Sequence, residues 1–286
     1  MRKLFNNRIA LKQELLFLAL AFSIAWSVWI PFLLSGTEGF SPFITLGAWG
    51  PSLAAFTILY LRSGKSGVQR LIKKITIWRV LPRWYAVALA MPAAITAGTL
   101  ATLYLFEPSF TLQKVESALP GGSFLALPFI FLVNILLGGP LAEEFGWRGY
   151  LVPRIQARFG AFISGVMVGI IWVLWHAPLF ILGSQGSVVG GIPFLWYLPL
   201  ITGFSVIFVY LYNGTGGSVL LCVLFHASIN TFISMISLSD LAHSSFAIAM
   251  IFTWISVGIV GFSTKSFSGK ASQQRQGKER LYAKRS

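Results

Sequence analysis

Eight stretches of this chain, each about 17 to 23 residues long, are almost unbroken in apolar character, and no other feature limits its fold so strongly. At about 1.5 Å of helical rise per residue, each can cross a hydrocarbon layer of about 30 Å. They run near Leu15 to Leu34, Phe43 to Leu61, Trp84 to Phe106, Phe124 to Leu141, Ala161 to Leu182, Pro193 to Leu211, Val219 to Ile236 and Phe246 to Phe262. In lipid a backbone must satisfy its own hydrogen bonds, so such runs are helices. The expected fold is an all-α polytopic transmembrane helical bundle of about eight spans. A balance of 56% hydrophobic to 10% charged residues, with mean hydropathy +0.75, excludes a water-soluble domain. One multi-pass membrane domain is expected over 1–263, with its motif-bearing core at about 120–236. A basic, disordered cytoplasmic tail follows at 264–286.

The net charge of +14 invites a nucleic-acid reading, which the placement of the 22 Lys and Arg contradicts. If the spans alternate, 21 of the 22 fall on one side: before span one, between spans two and three, after span four and in the tail. Lys114 is alone opposite. That asymmetry is the positive-inside pattern and places both termini in the cytoplasm. The partner implied is the lipid bilayer, with no nucleic acid. The first run is read as a retained span, because its cleavage-like Ala19-Leu20-Ala21 sits inside apolar sequence that continues to Leu34. The single cysteine, Cys222, excludes an internal disulfide and is read as packing. Between spans two and three, Val68, Leu71, Ile72, Ile75 and Trp78 recur at helical spacing while Arg70, Lys73, Lys74 and Arg79 take other faces. This predicts a helix lying on the membrane surface.

Charge within a membrane is costly, so the ionisable groups in or beside the spans are the informative ones. They are Glu143, Glu144, Arg148, His176 and His226, with Asn134 and Asn230 as polar neighbours. Gly138-Gly139-Pro140 predicts a helix break with proline in the next first turn. On that helix Glu144 and Arg148, four apart, can pair, while Glu143 points about 100° away. His226 and Asn230, also four apart, face one way. Each feature alone has a structural reading: a helix-end ion pair, a histidine on a carbonyl, an interhelical hydrogen bond. Jointly they support hydrolysis of an amide by either of two routes. Glu143, His176 and His226 form a candidate site for Zn2+ or another divalent metal. Without metal, Glu143 acts as general base with His176 assisting, and His226 and Asn230 donate to the oxyanion.

These residues resemble the motifs of the CPBP intramembrane proteases, which include the type II CAAX prenyl endopeptidases and bacteriocin-processing and immunity-associated bacterial members. E-E-x-x-x-R matches Glu143, Glu144 and Arg148; an aromatic followed four residues later by histidine matches Trp172 and His176; H-x-x-x-N matches His226 and Asn230. Trp172 stands where many members carry phenylalanine, and Gly47-Ala48-Trp49-Gly50-Pro51 resembles a segment of bacterial members. The resemblance implies an intramembrane endopeptidase in a bacterial cell membrane, acting on a membrane-embedded or membrane-proximal peptide, with CAAX-like peptides among the candidates. In it Glu143 and His176 activate water, His226 and Asn230 stabilise the oxyanion or complete a metal site, and Glu144 and Arg148 support the helix. The rival is a non-catalytic immunity factor, chaperone or scaffold on the same fold. Depth poses a difficulty. Span ends put Glu143 at the cytoplasmic edge, His226 about 12 Å in and His176 about 22 Å in. Either span five starts before the hydrocarbon, or the Gly138-Gly139-Pro140 break lets the glutamates sit deeper.

Overall fold

The computed structural model describes residues 2–36, 42–182, 194–237 and 241–264, which form twelve α-helices and no strand. The basic tail expected at 264–286 lies outside these residues apart from Thr264, as do the loop acids Glu38 and Asp240. In chain order the helices are α1 (Arg2–Leu34), α2 (Pro42–Ala48), α3 (Gly50–Ile72), α4 (Pro82–Phe106), α5 (Leu112–Ser117), α6 (Leu127–Leu137), α7 (Pro140–Glu144), α8 (Val152–Trp175), α9 (Ala177–Ile181), α10 (Phe194–Gly214), α11 (Val219–Ser237) and α12 (Ala242–Thr264). A π-helical segment, Phe145–Leu151, joins α7 to α8. Seven continuous helical stretches among the described residues are long and apolar enough to cross a membrane. The chain is an integral, multi-pass membrane protein.

Eight apolar runs give seven long stretches because the fourth run does not form one helix. Its α-helix, α6, is 11 residues long, about 16 Å, and ends at Gly138. Gly139 then takes φ +98, a left-handed conformation that a side chain would strain, and Pro140 opens α7. Contacts along α11 show that the crossing continues past this break. His226 meets Glu144, Asn230 meets Gly138 and Thr231 meets Asn134, so α6 and α7 follow one flank of α11 in one direction.

The next stretch, Pro140–Trp175, is 36 residues long and doubles back. Trp172 lies 29 residues after Glu143, which would be about 43 Å along a straight helix, yet their side chains are 2.7 Å apart. The reversal is at Gly160, where φ 80 and ψ 172 lie outside helical geometry. Both sides of the Glu143 depth problem are thereby settled. Gln156 pairs with Asn213 near the basic end of the bundle, where the Ser218 hydroxyl donates to the Ile77 carbonyl. From those marks Glu144 is about 18 Å along its arm and His226 about 12 Å along α11. The glutamates are therefore not at the edge of the span as its apolar boundary suggested, because the helical chain continues past Leu141 to Gln156 at the basic end.

Close helix contact places the second arm. On α8, a β-carbon at Gly165 would meet the Val206 backbone at 2.7 Å, and one at Gly169 the Thr202 backbone at 2.7 Å, so α8 and α10 touch through small residues. The glycine-proline segment near residue 50 has a packing role of the same kind. Gly50 faces the Ala21 carbonyl, and Gly146 of the π-helical segment lies directly against Pro51. A methyl group at 146 would occupy the place of the Pro51 carbonyl. Gly146→Ala is expected to cost about 1–3 kcal/mol or more by overpacking, read as a lowered unfolding midpoint of the detergent-solubilised protein.

A helix occupies most of the expected stretch after span two, but Trp78 and Arg79 lie beyond its end and Lys74 departs from its expected face. The chain bends at Gly64 and continues to Ile72 and a 3-10 turn at Lys73–Thr76. Leu71 is buried against Gly149, as the apolar face requires. Lys74, assigned by spacing to the polar face, turns inward. Its Nζ donates to the Gly149 carbonyl and the Tyr212 hydroxyl, both at 2.8 Å. The π-helical segment thus finds a donor for one of its carbonyls in the basic loop. At the same end Arg158 pairs with Glu14 of α1.

Candidate active site

Four helical elements converge at the depth of the break. The short α7 brings Glu143 and Glu144, the π-helical segment brings Trp147 and Arg148, the end of α8 brings Trp172 and His176, and α11 brings His226 and Asn230. Glu143, Glu144, Arg148 and His226 are all buried.

Glu144, Arg148 and His226 form one bonded group. Oε1 of Glu144 is 2.8 Å from Nη1 of Arg148 and 2.8 Å from Nδ1 of His226. The four-residue spacing of Glu144 and Arg148 gives the expected pair. The guanidinium lies over the Phe208 ring at 3.6 Å and the Trp172 ring at 4.5 Å from their centroids, so a wholly buried arginine is held by a carboxylate and two aromatic faces. Glu144 does more than support its helix. A carboxylate accepts only, so Nδ1 of His226 carries the proton and Nε2 is left for another partner.

Glu143 and His176 are joined through one intervening residue. Oε2 of Glu143 accepts from the indole N–H of Trp172 at 2.7 Å and of Trp147 at 3.2 Å. One turn later, Nδ1 of His176 is 2.8 Å from the Trp172 carbonyl. That oxygen is an acceptor, so Nδ1 is the protonated nitrogen, and Nε2 has no hydrogen bond among the described residues. His176 packs edge-on to Trp175 and Tyr197, with ring centroids at 4.7 and 5.8 Å. Asn230 donates from Nδ2 to the Gly138 carbonyl at 2.9 Å, on the break itself. The other oxygen of Glu143 folds back over Gly139, where a β-carbon would meet Oε1 at 2.5 Å. Gly139→Ala therefore both strains the backbone and displaces the carboxylate. It is expected to cost about 1–3 kcal/mol and to lower the activity of the purified protein in parallel.

All six residues singled out in the sequence reach this region. Glu144, Arg148 and His226 bond directly, Glu143 and His176 meet through Trp172, and Asn230 holds the break. Sequence reasoning treated Trp172 only as the aromatic that precedes His176 in a motif and passed over Trp147. The spacing carried a signal, since Trp147 is four residues after Glu143 and shares its face. The donors for a divalent metal are less well gathered. Among the described residues no three His, Cys, Asp or Glu side chains form a group able to hold a metal ion. The imidazoles of His176 and His226 stand at the Trp172 ring, 5.9 and 5.0 Å from its centroid. In this arrangement Glu143, His176 and His226 do not fit a metal site.

Known proteins share this region. Residues 125–232, which hold all six residues, match the family model for Type II CAAX prenyl endopeptidase Rce1-like proteins. The CAAX prenyl protease 2 of Methanococcus maripaludis is 26% identical over 155 residues, covering 48% of this chain and 56% of that protein. The lysostaphin resistance protein A of Staphylococcus haemolyticus is 27% identical over 153 residues, covering 53% of this chain and 38% of that protein. The chain thus spans about half the length of the first of these relatives and less of the second. The sequence resemblance to type II CAAX prenyl endopeptidases is borne out by the match.

Proposed function

We propose that this protein is an intramembrane endopeptidase of the CAAX-protease type, hydrolysing a peptide bond in a membrane-embedded or membrane-proximal segment with water activated by Glu143. The observation that carries the reading is the link through Trp172, which ties the Glu143 carboxylate and the His176 imidazole to one residue inside an apolar bundle. Glu143 takes a proton as the water oxygen adds to the scissile carbonyl, while Nε2 of His176 accepts a hydrogen bond from the O–H that stays on that oxygen and orients the nucleophile. The developing oxyanion receives hydrogen bonds from Asn230 and His226, the imidazole of the latter held at Nδ1 by Glu144. Glu143 then returns its proton to the leaving nitrogen as the C–N bond breaks. The basic end of the bundle faces the cytoplasm, with both termini on that side, in a prokaryotic cell membrane.

The test is cleavage of a panel of membrane peptides by the purified protein beside His176→Ala and His226→Ala, with and without a strong chelator. Loss of cleavage of about 10²-fold or more in both variants is expected. Undiminished cleavage under chelation is expected of the glutamate route. Chelator loss restored by zinc would instead make Glu143, His176 and His226 ligands. A wild type that cleaves nothing, while both variants keep the full cellular effect, would leave a binding scaffold as the function.

A further inference from the structure

Seven indole N–H hydrogen bonds occur among the described residues. Those of Trp26, Trp29, Trp175 and Trp254 go to backbone carbonyls, and that of Trp196 reaches an imidazole at 3.4 Å. The remaining two, from Trp147 and Trp172, go to one and the same oxygen, Oε2 of Glu143. Core packing does not require this, since an indole buried for its area alone can give its N–H to any nearby carbonyl. The two donors come from different elements, the π-helical segment and the end of α8, and both residues are buried.

Resting on the peptidase reading above, we propose that Trp147 and Trp172 are positioning residues that immobilise Oε2 of Glu143 and so assign Oε1 as the oxygen that takes the proton from water. An indole is a donor only and stays one throughout, so it cannot accept that proton or pass it on. Two N–H groups on one oxygen fix the carboxylate plane and reduce the basicity of that oxygen. The other oxygen keeps its lone pairs. At position 172 phenylalanine would preserve the ring contacts with Arg148 and His226 but supply no donor.

The proposal is tested by exchanging the N–H alone. Trp172 replaced by benzothienylalanine keeps shape and ring area with sulfur in place of N–H, and the same exchange is made at Trp147. Each is expected to lower kcat about tenfold, with KM and the unfolding midpoint unchanged, Trp172 more than Trp147 because its bond is shorter. Equal kcat in the wild type and both analogues would overturn the positioning role, and a fall in the unfolding midpoint matching the loss of kcat would reduce it to packing. A second readout needs no turnover: the N–H-sensitive ultraviolet resonance Raman band of the tryptophans is expected to shift in Glu143→Ala, and an unshifted band would overturn the two hydrogen bonds. A band that shifts in Glu143→Ala while the wild type cleaves no peptide would instead sink the peptidase reading, and the assignment of Oε1 with it.

Discussion

Glu143→Gln is expected to reduce peptide cleavage by about 10²- to 10⁴-fold while leaving the protein folded. The amide oxygen can face the two indole donors in place of Oε2, so Trp147 and Trp172 keep their acceptor. The amide nitrogen then occupies the position of Oε1, where it has no lone pair with which to take a proton. The hydrogen-bond frame survives and the base is gone. Cleavage rates and unfolding midpoints measured on the same preparation separate the two effects. A Gln variant that retained wild-type turnover would remove Glu143 from the chemistry and shift attention to His176.

Glu144→Ala is expected to act chiefly on stability, by about 3–5 kcal/mol. It leaves the guanidinium of Arg148 buried between two rings with no countercharge, and it deprives Nδ1 of His226 of its acceptor. The double variant Glu144→Leu with Arg148→Met should recover most of the lost midpoint, because removing both charges leaves neither stranded. Cleavage should not return with the stability, since His226 would still lack the partner that fixes its proton. Recovery of both together would show that Glu144 matters to His226 only through the fold.

Much of this arrangement was legible in the sequence because lipid enforces it. Runs such as Trp84 to Phe106 and Val219 to Ile236 match α4 and α11 closely, since length and apolarity alone determine a spanning helix. The Glu144–Arg148 pair followed from four-residue spacing, which survives entry into the π-helical segment. Two things were not legible. Depth was misjudged for Glu143, because hydropathy ended span four at Leu141 while the helical chain continued for several more turns toward the basic end, its carboxylates bonded by Arg148, His226 and the two indoles. Lys74 was placed on the solvent face, because periodicity cannot report that its ammonium meets the Gly149 carbonyl, 75 residues further along the chain. In both cases the missing information is a partner distant in sequence.

The reversal at Gly160 also determines the order in which the site can be completed during synthesis. A nascent chain that has emerged as far as Leu182 already holds, within one helical hairpin, Glu143, Trp147, Trp172 and His176. Their contacts close over about 30 residues, a short loop by the standards of chain entropy. The groups that would receive negative charge on the substrate, His226 and Asn230, are carried by a helix that begins only at Val219. On the peptidase reading, a ribosome-bound chain of this length would hold the proposed base without the groups proposed to receive the oxyanion, so hydrolysis would wait on insertion of the seventh apolar run.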